Sequence, residues 1–488
     1  MPINSFLYPG VKVPPPFSVT NSLRFDDGSS EYLHRTPSSS GSSTNWTYSV
    51  WVKRSASISG DQRLLSNGNQ QGSGSQDTGI IFMSDDTLRF DIYDNGTTRG
   101  NIDTKRTFRD LGAWYHFVFV WNSSSSTSTM NGSATDRMQI WVNGVQETEL
   151  EGHTGSAPTI PAQDANDPNT NSTSYAMRIG TRATNQYFNG YIAEAVFLDG
   201  QSLGASSFGE FDEDSGIWKP KDVSGLTFGT NGFYLDFEDS SALGNDVSGN
   251  NNDFTVNNLT SIDQSTDTCT NNFATMNALD NYYASSDFSD GNITVDMNDS
   301  GNETYNTSTF AVSTGKWYAE VKLVDSSTKP MTGISGNNPV AIGTVLGNSD
   351  HGYAYQGENG QMRINGANQG AYGNTYTTND IIGIALDLDN NKLYFSKNGT
   401  WQNSGDPTSG ATGTGAVSID APSSTAVGAY FFAAGKRHSD NNKVSWNFGS
   451  PPYSISSGNS DGNGYGNFEY SVPSGYYALN TKNLAEYG

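Results

Sequence analysis

Asp236 and Glu238 stand at alternate positions in "YLDFEDS", so on a strand both carboxyls would point to one side. Two carboxyls roughly 5–9 Å apart are what glycoside hydrolysis needs, one as acid and the other as base or nucleophile. A second acidic stretch, "GEFDEDSG", holds Glu210, Asp212, Glu213 and Asp214, but no aromatic-rich strand surrounds it. In "GNDVSGNNNDF", Asp246, Asn250, Asn252 and Asp253 are oxygen donors at a loop spacing that suits Ca²⁺, the one cofactor the sequence offers. The same residue types are also ordinary turn formers. The five histidines (His34, His116, His153, His351 and His438) form no His-x-x-x-His pair, and there is no Gly-x-Ser-x-Gly elbow or phosphate loop. Cys269, the single cysteine, has no basic neighbour in sequence to lower its pKa. The expectation is a protein without catalytic activity.

Recognition is the other chemistry on offer. Sugar sites pair an aromatic platform with amide and carboxylate hydrogen bonds. Tyr353 and Tyr355 in "DHGYAYQGEN", Tyr372 and Tyr376 in "GAYGNTYTTND", and Trp401 in "NGTWQN" lie in segments that read as loops. They are the candidate ligand-binding residues. The competing reading, that these rings cap a core, stands beside it.

The elements that must position such residues are strands. "WTYSVWVKR", "WYHFVFVW", "MQIWVNGVQ", "YIAEAVFLDG", "KWYAEVKLV", "PVAIGTV", "GYAYQ", "IIGIALDLD", "KLYFSKNG" and "KVSWNFG" are strand-sized runs between Gly, Asn, Asp and Ser clusters. "WYHFVFVW" is bulky throughout, as a strand covered on both faces would be. "IWVNG" and "LYFSKNG" each run into an Asn-Gly corner, a hairpin signal that recurs in the two halves of the chain. The expected fold is all-β, with tandem antiparallel sandwiches. Residues 1–20 read as an extended arm, 21–200 as the first sandwich, 201–280 as a connector, 281–458 as the second sandwich and 459–488 as an extended tail. Phe6, Leu7, Tyr8 and Phe17 are apolar beads on the arm, and Pro14, Pro15 and Pro16 deny it a helix.

Bulk composition narrows the partners. The chain has 488 residues, 50 acidic and 26 basic, giving a formal charge of −24. No Lys/Arg-rich run favours nucleic acid or an anionic membrane. No stretch approaches the roughly 20 apolar residues that span a bilayer. With one cysteine there is no internal disulfide. The first residues do not read as a secretory signal, so synthesis in a cytoplasm is expected.

Two resemblances sharpen this picture. "WTYSVWVKR", "WYHFVFVWN", "IWVNGV" and "RIGTRATNQYFNGYIAEAVFLDG" resemble, in order, the strands of a laminin-G-like, concanavalin A-like sandwich. "TGKWYAEVKL", "IGTV", "DIIGIALDLDNNKLYFSKNG" and "VSWNFG" resemble a SPRY domain, whose ligand surface is built from loops at one edge. Some concanavalin A-like enzymes place acids in an E-x-D-x-E strand; here Tyr234 occupies the nucleophile's position. Tandem sandwiches rich in Asn, Ser, Thr and Gly, with a short arm, resemble bacteriophage tail fibres and related appendages. That resemblance implies a virion location, docking on other virion proteins through the arm, a homotrimer, and attachment to host-surface glycan. A capsid-decorating head fibre and a polysaccharide depolymerase are the alternatives.

Overall fold

The computed structural model describes residues 17–56, 60–69, 75–126, 136–279, 286–297, 303–326, 329–337, 344–437 and 441–488. Phe6, Leu7, Tyr8 and most of "PVAIGTV" lie outside the described residues.

The chain is all-β, as expected: two antiparallel sandwiches follow one another. In the first, one sheet runs Val145–Gln146, Met138–Val142, Trp114–Asn122, Asn45–Arg54, Gly190–Asp199, Ser22–Phe25, Gln264–Ser265. The facing sheet runs from Leu150–Glu151 through Thr97–Thr107 to Tyr32–Arg35 and Thr255–Asn257. Alternation decides which side chains meet between them. From Trp114–Asn122, Phe117, Phe119 and Trp121 enter the core with Trp46, Tyr48 and Phe90. His116, Val118 and Val120 face the other way, under a layer from residues 203–234 that includes Phe208, Val223 and Phe228. This strand is therefore covered on both faces, as its bulk implied.

The segment read as a connector is largely part of the first sandwich. Phe233–Leu235 pairs with Gly190–Asp199, Thr255–Asn257 with Tyr32–Arg35, and Gln264–Ser265 with Ser22–Phe25. These runs are only two or three residues long, too short to carry a visible alternation.

In the second sandwich a nine-stranded sheet centred on Lys316–Ser326 packs on a six-stranded one, Thr304–Val312 to Ala367–Ala371. The hairpin Ile381–Asp387/Lys392–Lys397 pairs Ile384 with Phe395 and Leu386 with Leu393, all buried. Its corner needs left-handed residues, and Asn391 supplies φ of +54°. Both Asn-Gly corners also have positive φ, Asn143–Gly144 and Asn398–Gly399 alike. The tail lies along this sandwich as a pairing of Tyr477–Ala478 with Lys316–Ser326, then ends in a short helix, Thr481–Tyr487. No helix among the described residues is long and apolar enough to cross a membrane.

The sandwiches are joined by buried polar contacts. Lys53 Nζ lies 2.8 Å from Asp267 Oδ2 and 2.7 Å from Asn272 Oδ1. Ser265 and Ser450 share a hydrogen bond, and Tyr191 Oη donates to Gly291 O.

Candidate functional site

On the second sandwich, the loop after Val417–Ser418 returns to Tyr430–Lys436 and carries Asp420 at its surface. His351 precedes the strand Gly352–Gln356 and Tyr353 lies on it. Alternation turns Tyr353 toward the core, and its hydroxyl emerges at the core's edge. That hydroxyl donates to Asp420 Oδ2 at 3.0 Å and accepts from Asp420 N at 2.9 Å. Tyr430 Oη donates to Asp420 O at 3.0 Å, and His351 Nδ1 lies 3.1 Å from Asp420 Oδ2. The carboxylate is thus held by two side chains, Tyr353 and His351, and the backbone beneath it by Tyr430, while 54% of the Asp420 side chain stays exposed. Burial raises the pKa of both tyrosines, so they remain neutral donors. His351 itself has φ of +61°, an uncommon conformation outside glycine.

Four of the five candidate aromatic residues are core. Tyr353, Tyr355, Tyr372 and Tyr376 are all buried. Tyr355 packs against Tyr372, Tyr376 and Phe395 with ring centroids 4.9–5.6 Å apart. Their hydroxyls are occupied: Tyr376 Oη donates to Tyr355 O, Tyr355 Oη to Asn374 O, and Tyr372 Oη accepts from Phe395 N. None of the four keeps a face on which a sugar ring could lie. Trp401 is half-buried against the cluster around Tyr394 and Tyr476. Only the polar tip of Tyr353 reaches the site. Asp420 and His351 carried no sequence signal, because Asp in "VSIDAPSS" looks like any loop acid.

The acid pair of the first sandwich does not form a cleft. Phe233–Leu235 ends before Asp236, and Phe237 turns with φ of +59°. Asp236 Oδ1 accepts from Glu238 N, and Glu238 takes the Thr20 hydroxyl. Tyr234, at the supposed nucleophile position, donates instead to Glu194 Oε2 at 2.6 Å. Glu194, on a β-bulge with φ of +51°, is 7% exposed and went unnoticed in the sequence. Burial pushes its carboxyl up to about 8, against the Tyr234 hydrogen bond that pulls it down.

This has a measurable consequence. Between the unfolded value of 4.5 and about 8, the native state holds a proton that the unfolded chain has lost. Stability therefore falls as pH rises through that window. Glu194→Gln, which keeps an acceptor for Tyr234 and cannot ionise, should match the wild type near pH 5 in urea unfolding. By pH 8.5 it should exceed it by on the order of 2–4 kcal/mol. A pH-independent difference would remove Glu194 as the cause.

The loop read as a calcium site ties itself together. Asp246 accepts from Tyr234 N, Ser248 N and Asn252 N, and Asp253 accepts from Asp246 N. Asn250 and Asn252 turn their amide NH₂ groups to carbonyls at Gly229, Thr230 and Gly232, and Arg35 bonds Asn252 Oδ1. Among the described residues no three His, Cys, Asp or Glu side chains gather as a metal site would.

Phe17, the described bead of the arm, packs on its own chain beside Val19, Trp51 and Trp114.

A family model described as "Concanavalin A-like lectin/glucanases superfamily" matches residues 27–203, and a SPRY domain model matches residues 316–419. The chain carries a concanavalin A-like domain followed by a SPRY domain. Among curated proteins it is similar to Ran-binding protein 9 of Danio rerio, 33% identical over 86 residues, covering 17% of this chain and 14% of the relative. The Homo sapiens Ran-binding protein 9 is 34% identical over 86 residues, covering 17% and 12%. The Ran-binding proteins 9/10 homolog of Drosophila melanogaster is 30% identical over 88 residues, covering 18% and 9%. The match thus spans about a seventh or less of those relatives' length. Among solved structures, the SPRY domain of human HERC1 is 16% identical with a TM-score of 0.24, covering 31% of this chain and 86% of that one. A putative carbohydrate binding protein from Bacteroides ovatus is 14% identical with a TM-score of 0.32, covering 50% and 61%.

These relatives are cellular proteins of animals, not components of phage particles. That overturns the expected virion appendage, tail fibre or head fibre alike, and the depolymerase alternative with it. It equally overturns the virion location, the docking on virion proteins, the trimer expected by analogy with fibres and the attachment to host glycan. An Asn-, Ser-, Thr- and Gly-rich sequence describes any sandwich with long loops, so composition alone could not place this chain on a particle.

Proposed function

We propose that this chain is a non-enzymatic binding protein whose SPRY domain holds a segment of another protein at the loop surface around Asp420. The observation that carries the reading is the Asp420 carboxylate, held by Tyr353 and His351 on a backbone pinned by Tyr430 and still half open to solvent. A pre-positioned acceptor loses little freedom on binding, which favours recognition of a cationic or amide side chain. No second acid or nucleophile is hydrogen-bonded to it among the described residues, so the arrangement supports holding a ligand over transforming it. The matched relatives are named for binding rather than turnover.

The test is selection of random peptides against the full chain, followed by calorimetry of the winning sequences. Asp420→Ala should weaken them about tenfold or more, the worth of a hydrogen bond to a charged group. The bound peptides should be recovered intact. Peptides that ignore Asp420→Ala, or that are cleaved, would overturn the proposal.

A further inference from the structure

Seven large apolar residues are exposed among the described ones, and three of them belong to one corner of the first sandwich: Val145 at 60%, Phe211 at 50% and Ile217 at 66%. Phe211 and Ile217 belong to the hairpin Gly209–Phe211/Trp218–Pro220, which lies on the outer face of the sheet. Val145 follows the Asn143–Gly144 corner, and a Cβ added at Gly144 would sit within 2.4 Å of Trp218, so corner and hairpin touch.

The hairpin is held rigidly. Trp218 Nε1 donates to His116 Nδ1 at 3.0 Å, leaving His116 Nε2 to donate to Ser49 Oγ at 2.8 Å. Trp51 stacks on the same imidazole at 4.7 Å, and Phe211 meets Trp218 edge-on at 4.9 Å. Apolar side chains are thus presented to water on an ordered support, where loose ones would fold back.

Charge surrounds them on one side. The hairpin carries Glu210, Asp212, Glu213 and Asp214 against one cation, Lys219. Lys219 is already engaged by Glu210 at 3.4 Å and Asp212 at 3.1 Å. Glu213 and Asp214 are exposed at the tip beside Ile217. Contiguous exposed apolar surface with a polar rim marks an interaction site more often than scattered exposure does.

We infer that the corner formed by Val145, Phe211 and Ile217, rimmed by Glu213 and Asp214, docks a basic protein segment that carries apolar anchors. Its apolar side chains cover Phe211 and Ile217 while its lysines or arginines meet the acidic tip. This surface is on the other sandwich from Asp420 and stands or falls independently of it.

The probe is a fluorescein-labelled peptide alternating Lys/Arg with Leu/Ile, read by anisotropy against the full chain. Two counterparts accompany it, one with Glu for the bases and one with Ser for the apolar residues. The basic apolar peptide should bind, and both counterparts should fail. Phe211→Ser with Ile217→Ser should weaken binding about tenfold or more, the loss expected of truncated anchors. Glu213→Lys with Asp214→Lys should weaken it similarly and reduce its salt dependence. All four side chains are exposed, and Val427→Ser, at an exposed apolar site on the second sandwich, should leave binding unchanged. Because the chain carries a charge of −24, binding that ignores Phe211 and Ile217 would be diffuse attraction and would overturn the inference. So would absence of binding. Sedimentation showing that the wild type pairs with itself through Ile217 would assign the corner to a second copy and overturn it as well.

Discussion

Lys53→Met should cost the folded chain about 3–5 kcal/mol, because it strands a buried carboxylate. The Lys53 side chain is 1% exposed and that of Asp267 is 2% exposed, with 2.8 Å between the charges. Lys53 Nζ also reaches Asn272 Oδ1 and Phe273 O, so its three protons are all spoken for. Asp267 keeps the Trp114 indole at 3.0 Å and a long contact from Phe273 N at 3.3 Å, neutral donors that cannot replace a cation. Methionine preserves much of the stem's packing beside Tyr191, so the loss reports the charge rather than a void. Asp267 lies on the segment that leads from the first sandwich into the second, where Asn272 Nδ2 also donates to Gly112 O. The damage should therefore appear as lost hydrogen-exchange protection over residues 265–273 as well as a lower urea midpoint. Lys53→Met with Asp267→Asn should recover a substantial part of the loss, since the buried charge is then gone. A single variant within about 1 kcal/mol of wild type would show that water reaches Asp267 and that the joint is not dry.

The strands visible in the sequence were those long enough to alternate. Asn45–Arg54 and Ile381–Asp387 declare themselves through bulky residues at every second position, and Trp114–Asn122 through bulk along its whole length. Pro330–Ser335 was not read as a strand, because "PMTGIS" has a proline, a glycine and no alternation. It is held by its neighbours on both sides, Gly352–Gln356 and Tyr430–Lys436. "GFYLDF" and "DFTV" do read as strands, but the sheet that Phe233–Leu235 and Thr255–Asn257 join is set by tertiary pairing, as is the place of Gln264–Ser265. The site was less legible than the fold. Tyr353 was singled out for its ring, yet what counts is its hydroxyl, aimed by alternation at an acid 67 residues further on. Tyr355, Tyr372 and Tyr376 look like a surface platform because glycine and asparagine surround them. In three dimensions those polar neighbours form the turns, and the rings fall inward. Glu194 and Glu320 were invisible for a related reason, since an acid inside an apolar strand gives no hint of what it will meet.

Glu320→Ala should loosen the C-terminal segment from the second sandwich at a cost of about 3 kcal/mol, the penalty for leaving buried donors unpaired. Glu320 is fully buried in the middle of Lys316–Ser326. Its carboxylate accepts from Tyr470 N at 2.8 Å, Glu469 N at 2.9 Å, Tyr318 Oη at 3.0 Å and Asn447 Nδ2 at 3.2 Å. Two of those donors are backbone groups of the tail, which no rotamer change can satisfy elsewhere. They also set the position of Phe468, which with Tyr476 and Ala478 covers Tyr318, Ala385 and Tyr394. Loss of the anchor should expose Glu469 and Tyr470 to hydrogen exchange and open nearby bonds to protease, while the hairpin Ile381–Asp387/Lys392–Lys397 stays protected. Burial pushes the Glu320 carboxyl up to about 7, and the four hydrogen bonds limit that rise. Its folded pKa lies above the unfolded 4.5, so its contribution to stability is largest below 4.5 and shrinks as pH climbs toward 7. Glu320→Gln places an NH₂ group among donors, so it too should weaken the anchor, but without that pH dependence. The two variants together separate the hydrogen bonds from the charge. If Glu320→Ala left the tail as protected as in wild type, the apolar cover of Phe468 and Tyr476 would suffice alone, and the carboxylate would be incidental to it.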